Sequence, residues 1–157
     1  MTEQVVERSG ELHKAGRSCA ESVLMAIAES RGVSCGWIPA IATGFCSGLC
    51  RTAGPCGALT GAVLAVGLAL GRKTTPDESV EPCYRAVRRV RDGFLHAFES
   101  DNCEALTGCH LGTEEGSARF EVEGLRARCQ EFVMTASRLA LEAIEDASCG
   151  EPVADSR

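Results

Sequence analysis

Ten of the 157 residues are cysteine, a dense supply of sulfur for a chain of this size. A thiolate binds soft metals, carries iron–sulfur clusters and attacks disulfides, whereas a thiol does these poorly. Thiolate character is favoured at helix starts, where unpaired amides and the helix dipole stabilise negative charge. Three cysteines fall at predicted helix starts: Cys19 after the cap Ser18, Cys56 after Pro55, and Cys103 after Asp101. For each one taken alone, a small buried hydrophobe is the competing reading.

Cys46, Cys50 and Cys56 form a C-x3-C-x5-C run inside a glycine-rich bend. The first interval suits a metal-binding pair, and nearby glycines let backbone amides approach a compact centre. Cys46 and Cys50 are therefore candidate metal ligands beside Cys56. Cys109 follows Cys103 by six residues and precedes His110, so Cys109 is a further candidate. The interval is wrong for the C-x-x-C-H haem attachment motif. His110 reads as a polar loop residue, with a ligand role as the alternative. His13 and His96 read as helix-surface residues, and Cys35, Cys83 and Cys149 have no evident partners. No phosphate loop, G-x-S-x-G elbow, H-E-x-x-H helix or E-x-x-H carboxylate pair is present.

The elements that must position these thiols read as helices throughout, with apolar residues at helical spacing and almost no strand signal. A first amphipathic stretch covers residues 3 to 15. Ser18 with Glu21 forms a capping box for a helix from Cys19 to Arg31, which Gly32 stops. Pro39 opens a short apolar helix, and residues 47 to 54 form a bend. Pro55 to Leu70 carries no charge, as expected of a central buried helix. Gly57 and Gly61 share one of its faces, for close helix packing or for room beside Cys56. A long helix follows from Asp77 to Glu99, whose arginines (Arg85, Arg88, Arg89, Arg91) read as a solvated face paired with acidic neighbours. Asp101 and Glu104 suggest a second capping box for a short helix ending at Gly108. The last helix is expected from Ser117 to Ala147, carrying Cys129 on its inner stripe. The expectation is an all-α, single-domain bundle of about five to six helices around the central apolar helix. Its bounds are residues 1 to 147, with a flexible tail over 148 to 157.

Composition narrows the function classes. Sixteen basic against twenty-two acidic residues give a net charge of −6, and aromatic residues are 4%. That argues against nucleic acid as a main partner. The N-terminus lacks the basic and apolar regions of a signal peptide, and the Leu/Val-rich part of the uncharged run is short for a bilayer. A cytoplasmic protein without membrane insertion is expected. There, thiols stay mostly reduced and serve as metal or redox groups rather than as structural disulfides.

The sequence resembles the C_GCAxxG_C_C family of small bacterial and archaeal proteins, whose name implies redox activity. Gly16-Arg17-Ser18-Cys19-Ala20-Glu21-Ser22-Val23 is similar to its opening G-x-x-C-A-x-x-V, and Cys56-Gly57-Ala58-Leu59-Thr60-Gly61 to its C-G-A-x-x-G. Phe94 to Phe98 and Cys103 to Gly108 resemble its F-x-x-x-F and C-x-x-L-x-G stretch, and Cys129 stands at its fourth cysteine. The resemblance implies a functional set of Cys19, Cys56, Cys103 and Cys129 and a redox role, some relatives being joined to electron-transfer modules. This chain also carries Cys46 and Cys50 where relatives often have glycine, implying a second centre or variant ligands. The leading expectation is an electron-transfer protein with an iron–sulfur cluster, working with a redox partner protein, with a homodimer as a further expectation. The alternatives are a thiol–disulfide oxidoreductase that attacks with Cys56, or a module binding zinc or another soft metal. Whether the protein is an enzyme stays open at this point.

Overall fold

The computed structural model describes residues 1–149, and these residues contain only helices and connecting turns. In order they are α1 (Thr2–Lys14), α2 (Cys19–Ser30), a 3-10 turn (Ala40–Phe45), α3 (Cys46–Arg51), α4 (Gly57–Leu70), α5 (Glu81–Phe98), α6 (Cys103–Thr107), α7 (Glu114–Val122) and α8 (Arg126–Cys149). The all-α class agrees with the sequence. The count of eight α-helices exceeds the five to six expected, for two local reasons. The bend after residue 45 winds into a turn of its own, α3. The expected long last helix breaks at Gly124, whose φ is +63°, leaving α7 and α8. The flexible tail expected over 148 to 157 begins inside α8, which includes Ser148 and Cys149; residues 150 to 157 lie outside the described residues.

Helix α4 packs on α2, α5 and α8, and α8 in turn contacts α1, α2 and α5. The two share the centre, because α8 buries a stripe of Phe132, Val133, Ala136, Ala140 and Ile144 against several helices. The α4 glycines chiefly serve packing. A Cβ at Gly61 would lie 2.7 Å from the Ala20 Cα and carbonyl oxygen, so α2 and α4 meet backbone to backbone. Helix α4 is apolar all round but not enclosed, since Leu64, Leu68 and Leu70 are only half-buried. Among the described residues no helix is long and apolar enough to cross a membrane.

Helix α5 buries Ala86, Val90 and Phe94, and three of the four arginines expected to pair with acidic neighbours, Arg88, Arg89 and Arg91, do so. Arg89 reaches Asp146 at 2.6 Å, Arg91 reaches Asp101 at 2.9 Å, and Arg88 pairs with Glu81. Such exposed pairs contribute little stability each. The F-x-x-x-F spacing places Phe94 and Phe98 edge to face at 4.9 Å. Phe98 meets Phe132 of α8 in the same way at 4.8 Å. This aromatic cluster fixes the start of α8 and so the position of Cys129 three residues earlier.

Candidate functional site

Four helix N-termini converge on one cavity of about 70 Å³, and each brings a cysteine. Cys19 is the first residue of α2, Cys56 caps α4, Cys103 is the first residue of α6, and Cys129 is the fourth residue of α8. His13, Leu106, Phe120, Arg126 and Phe132 complete much of the wall. The break at Gly124 brings Cys129 into a first helical turn, where the sequence alone predicts the interior of a continuous helix. All ten cysteines are free thiols. The cavity is far below the roughly 300–1,000 Å³ of pockets for organic ligands, so an enclosed occupant is small.

Local chemistry explains each placement. The Ser18–Glu21 capping box closes the start of α2, with the Ser18 amide donating to the Glu21 carboxylate at 3.2 Å. Pro55 lies outside α4, in a bridge to Asn102, which makes Cys56 the cap rather than a first-turn residue. The Cys56 amide donates to the Asp101 carbonyl at 2.7 Å, and the Cys103 amide to the Gly54 carbonyl at 3.0 Å. These two bonds tie the starts of α4 and α6 together. The cap of α6 is Asn102, whose side-chain oxygen accepts from the Ala105 amide at 3.0 Å; the expected cap, Asp101, pairs with Arg91 instead.

Helix α3 closes one side of the cavity and is left-handed. Ser47, Gly48, Leu49 and Cys50 all have φ between +54° and +66°, and Arg51 follows at +66°. Left-handed backbone costs a non-glycine residue roughly 1–2 kcal/mol. The turn gains contact with the site: Ser47 lines the cavity and Gly48 lies against Cys103. Of the other candidates, Cys46 is buried with its backbone against Gly57, and its thiol donates to the Ala42 carbonyl at 3.4 Å. Cys50 is exposed, and its thiol donates to the Gly44 carbonyl at 3.1 Å. Cys109 is buried, and its amide donates to the Thr107 hydroxyl at 3.3 Å. His110 accepts from the Gly112 amide at 3.1 Å and serves its loop. Among the described residues, no three His, Cys, Asp or Glu side chains are drawn together around a single metal-ion position.

The electrostatics correct the expectation that helix starts alone make these cysteines thiolates. Burial pushes the Cys56 thiol up to about 11, against the Ala58 and Leu59 amides that favour its thiolate. Burial, then the charges of Cys56 and Cys129, push Cys103 up to about 12. Cys19 is raised by its hydrogen bond to Cys129 and by burial. Cys129 is the exception: the same bond lowers it, with help from Arg126 and Arg128. Desolvation thus outweighs the helix dipole at Cys56 and Cys103, the bond to Cys129 and burial together raise Cys19, and of the four only Cys129, flanked by two arginines, is shifted toward the thiolate.

His13 is the residue that sequence reasoning missed. It is buried, not on the surface, and its Nε2 lies 3.6 Å from the Cys19 sulfur. Its position was legible in the helical period, since His13 stands seven residues after Val6 on the stripe that buries Val6, Ser9 and Gly10. Burial and the nearby Arg126 charge push its imidazole down to about 4, so it is neutral. Arg126 holds it from behind, donating to the carbonyls of His13 at 2.7 Å and Arg17 at 2.9 Å.

The family model C_GCAxxG_C_C, described as "Putative redox-active protein (C_GCAxxG_C_C)", matches residues 17–143. The chain belongs to this family. The match spans Cys19, Cys56, Cys103 and Cys129, the four that line the cavity. No curated protein and no solved structure gives a significant match.

Proposed function

We propose that this member of the C_GCAxxG_C_C family is an electron-transfer protein holding an iron–sulfur cluster on Cys19, Cys56, Cys103 and Cys129. The observation that carries the reading is the convergence of four cysteine-bearing helix N-termini on one small cavity. The donor set fits such a group: four sulfurs, helix dipoles that stabilise anionic charge, and walls of Phe120, Phe132 and Leu106 that keep solvent away. Once bound, a cluster would supply one-electron chemistry at a potential set by burial and by hydrogen bonds to its sulfurs. Because three thiols are held protonated, loading must release protons. The buried site calls for a redox partner protein that docks close to it. The reducing cytoplasm suits the ten free thiols.

A second reading is favoured by one observation, the split between Cys129 and Cys19. In a thiol–disulfide oxidoreductase, the Cys129 thiolate would attack a substrate disulfide and Cys19 would resolve the mixed disulfide. The substrate would leave as two thiols, with a Cys19–Cys129 disulfide left behind. Cys56, raised to about 11, is poorly suited to the attacking role expected for it. Zinc is a third occupant that thiolates suit.

Anaerobic purification followed by iron, sulfide and zinc analysis separates the three. Broad visible absorption with iron and sulfide in near-equal amounts supports the cluster. A colourless, metal-free protein that resists reconstitution and reversibly forms a Cys19–Cys129 disulfide supports the oxidoreductase. Colourless protein with stoichiometric zinc supports the third reading.

A further inference from the structure

The His13 ring lines the cavity with its two nitrogens in different circumstances. Nε2 faces the Cys19 sulfur at 3.6 Å, and Nδ1 is buried with no hydrogen-bond partner among the described residues. A neutral imidazole carries one proton, and these surroundings decide between its two positions. With the proton on Nδ1, a buried N–H would face no acceptor, and the Nε2 lone pair would oppose the lone pairs of the Cys19 sulfur, whose own proton is engaged by Cys129. With the proton on Nε2, the N–H points at the sulfur and only an acceptor is left unpaired. Orphaned buried N–H groups are rarer in proteins than under-satisfied acceptors.

The sulfurs also differ in what supports them. Cys56 receives backbone amides of Ala58 and Leu59, while Cys19 has a side chain, His13, within hydrogen-bonding range. Arg126 pins the backbone of His13 and so limits how far the ring can withdraw.

We infer that His13, in its Nε2–H form, donates a hydrogen bond to the Cys19 sulfur and thereby raises the reduction potential of the centre that Cys19 helps to hold. His13 is a positioning and tuning residue, not a ligand. The donor stabilises charge on the sulfur, so the more negative, reduced centre gains most. The tuning part rests on the iron–sulfur reading proposed above; the hydrogen bond itself does not.

The test has two arms. Long-range proton–nitrogen NMR of the reduced, metal-free protein, with His13 assigned by comparison with His13→Gln, reads the ring directly. A proton on Nε2 is expected, and a proton on Nδ1 overturns the inference. The second arm is redox titration of the reconstituted centre in wild type, His13→Phe and His13→Gln. Phe removes the donor, and the reduction equilibrium should shift at least tenfold toward the oxidised form, about 59 mV for one electron. Gln keeps an N–H and should lie closer to wild type, which also guards against a Phe variant that folds poorly. Equal potentials in wild type and in a folded His13→Phe overturn the tuning role. A wild type that takes up no iron or sulfide overturns the cluster reading and the tuning with it, while the ring proton still decides the hydrogen bond.

Discussion

Gly48 lies so close to Cys103 that a Cβ at residue 48 would stand 2.6 Å from the Cys103 Cβ and 3.3 Å from its sulfur. The left-handed turn α3 is thus a wall of the site, and its geometry is coupled to the start of α6.

Gly48→Ala follows directly from that contact. The added methyl must displace Cys103, and the backbone at φ +66° disfavours any side chain. A loss of about 2–3 kcal/mol is expected from overpacking and left-handed strain together. Urea denaturation of the metal-free protein measures it, and the cofactor content of the variant should fall as well.

Arg51→Gly should act in the opposite direction. Arg51 is exposed at φ +66°, and the strain of a left-handed residue exceeds the entropy that glycine adds to the unfolded chain. A gain of about 0.5–1 kcal/mol is expected in the same denaturation experiment, with the centre unaffected.

The contrast between these two positions shows how much was legible beforehand. The glycine-rich bend after Cys46 was visible as a bend, but its left-handed winding carries non-glycine residues that no local propensity selects. Tertiary contact with Cys103 imposes it. The helical period placed α2, α4 and most of α5 well, because their apolar stripes are long. It joined α7 to α8, since Gly124 inside a helical pattern is weak punctuation, and so hid the helix start beside Cys129. Cap chemistry placed Cys19 correctly, whereas Asp101 and Asn102 are both good caps and only packing chose Asn102. The thiolate expectation for Cys56 and Cys103 failed because burial is a property of the whole fold, invisible in a local window.

Stability toward acid should depend on His13. Its folded pKa, about 4, lies below the ordinary 6.5, so the unfolded chain binds the extra proton over that interval. Stability is full above about 6.5 and falls as the pH drops toward 4, by about 3 kcal/mol in all. Arg126 and Cys19 are the groups that face the ring. Urea midpoints between pH 7 and 4.5 should fall less steeply in His13→Gln than in wild type.

Toward alkali the thiols act with the opposite sign. Cys56 and Cys103 keep their protons in the folded, metal-free protein to about 11 and 12, while unfolded thiols ionise near 9. Stability is therefore full below about 9 and declines as the pH rises, by about 1.4 kcal/mol per pH unit for each such thiol. Cys103→Ser should flatten the decline between pH 9 and 10.5 in reduced, metal-free protein.

The most direct test of one shared centre is the iron and sulfide content of anaerobically reconstituted wild type, Cys19→Ser, Cys56→Ser, Cys103→Ser and Cys129→Ser, with the exposed Cys149→Ser as control. Near-equal iron and sulfide in wild type and Cys149→Ser, with loss in each of the other four, is the predicted result. Full loading of Cys56→Ser, or no iron and sulfide in wild type, would contradict it.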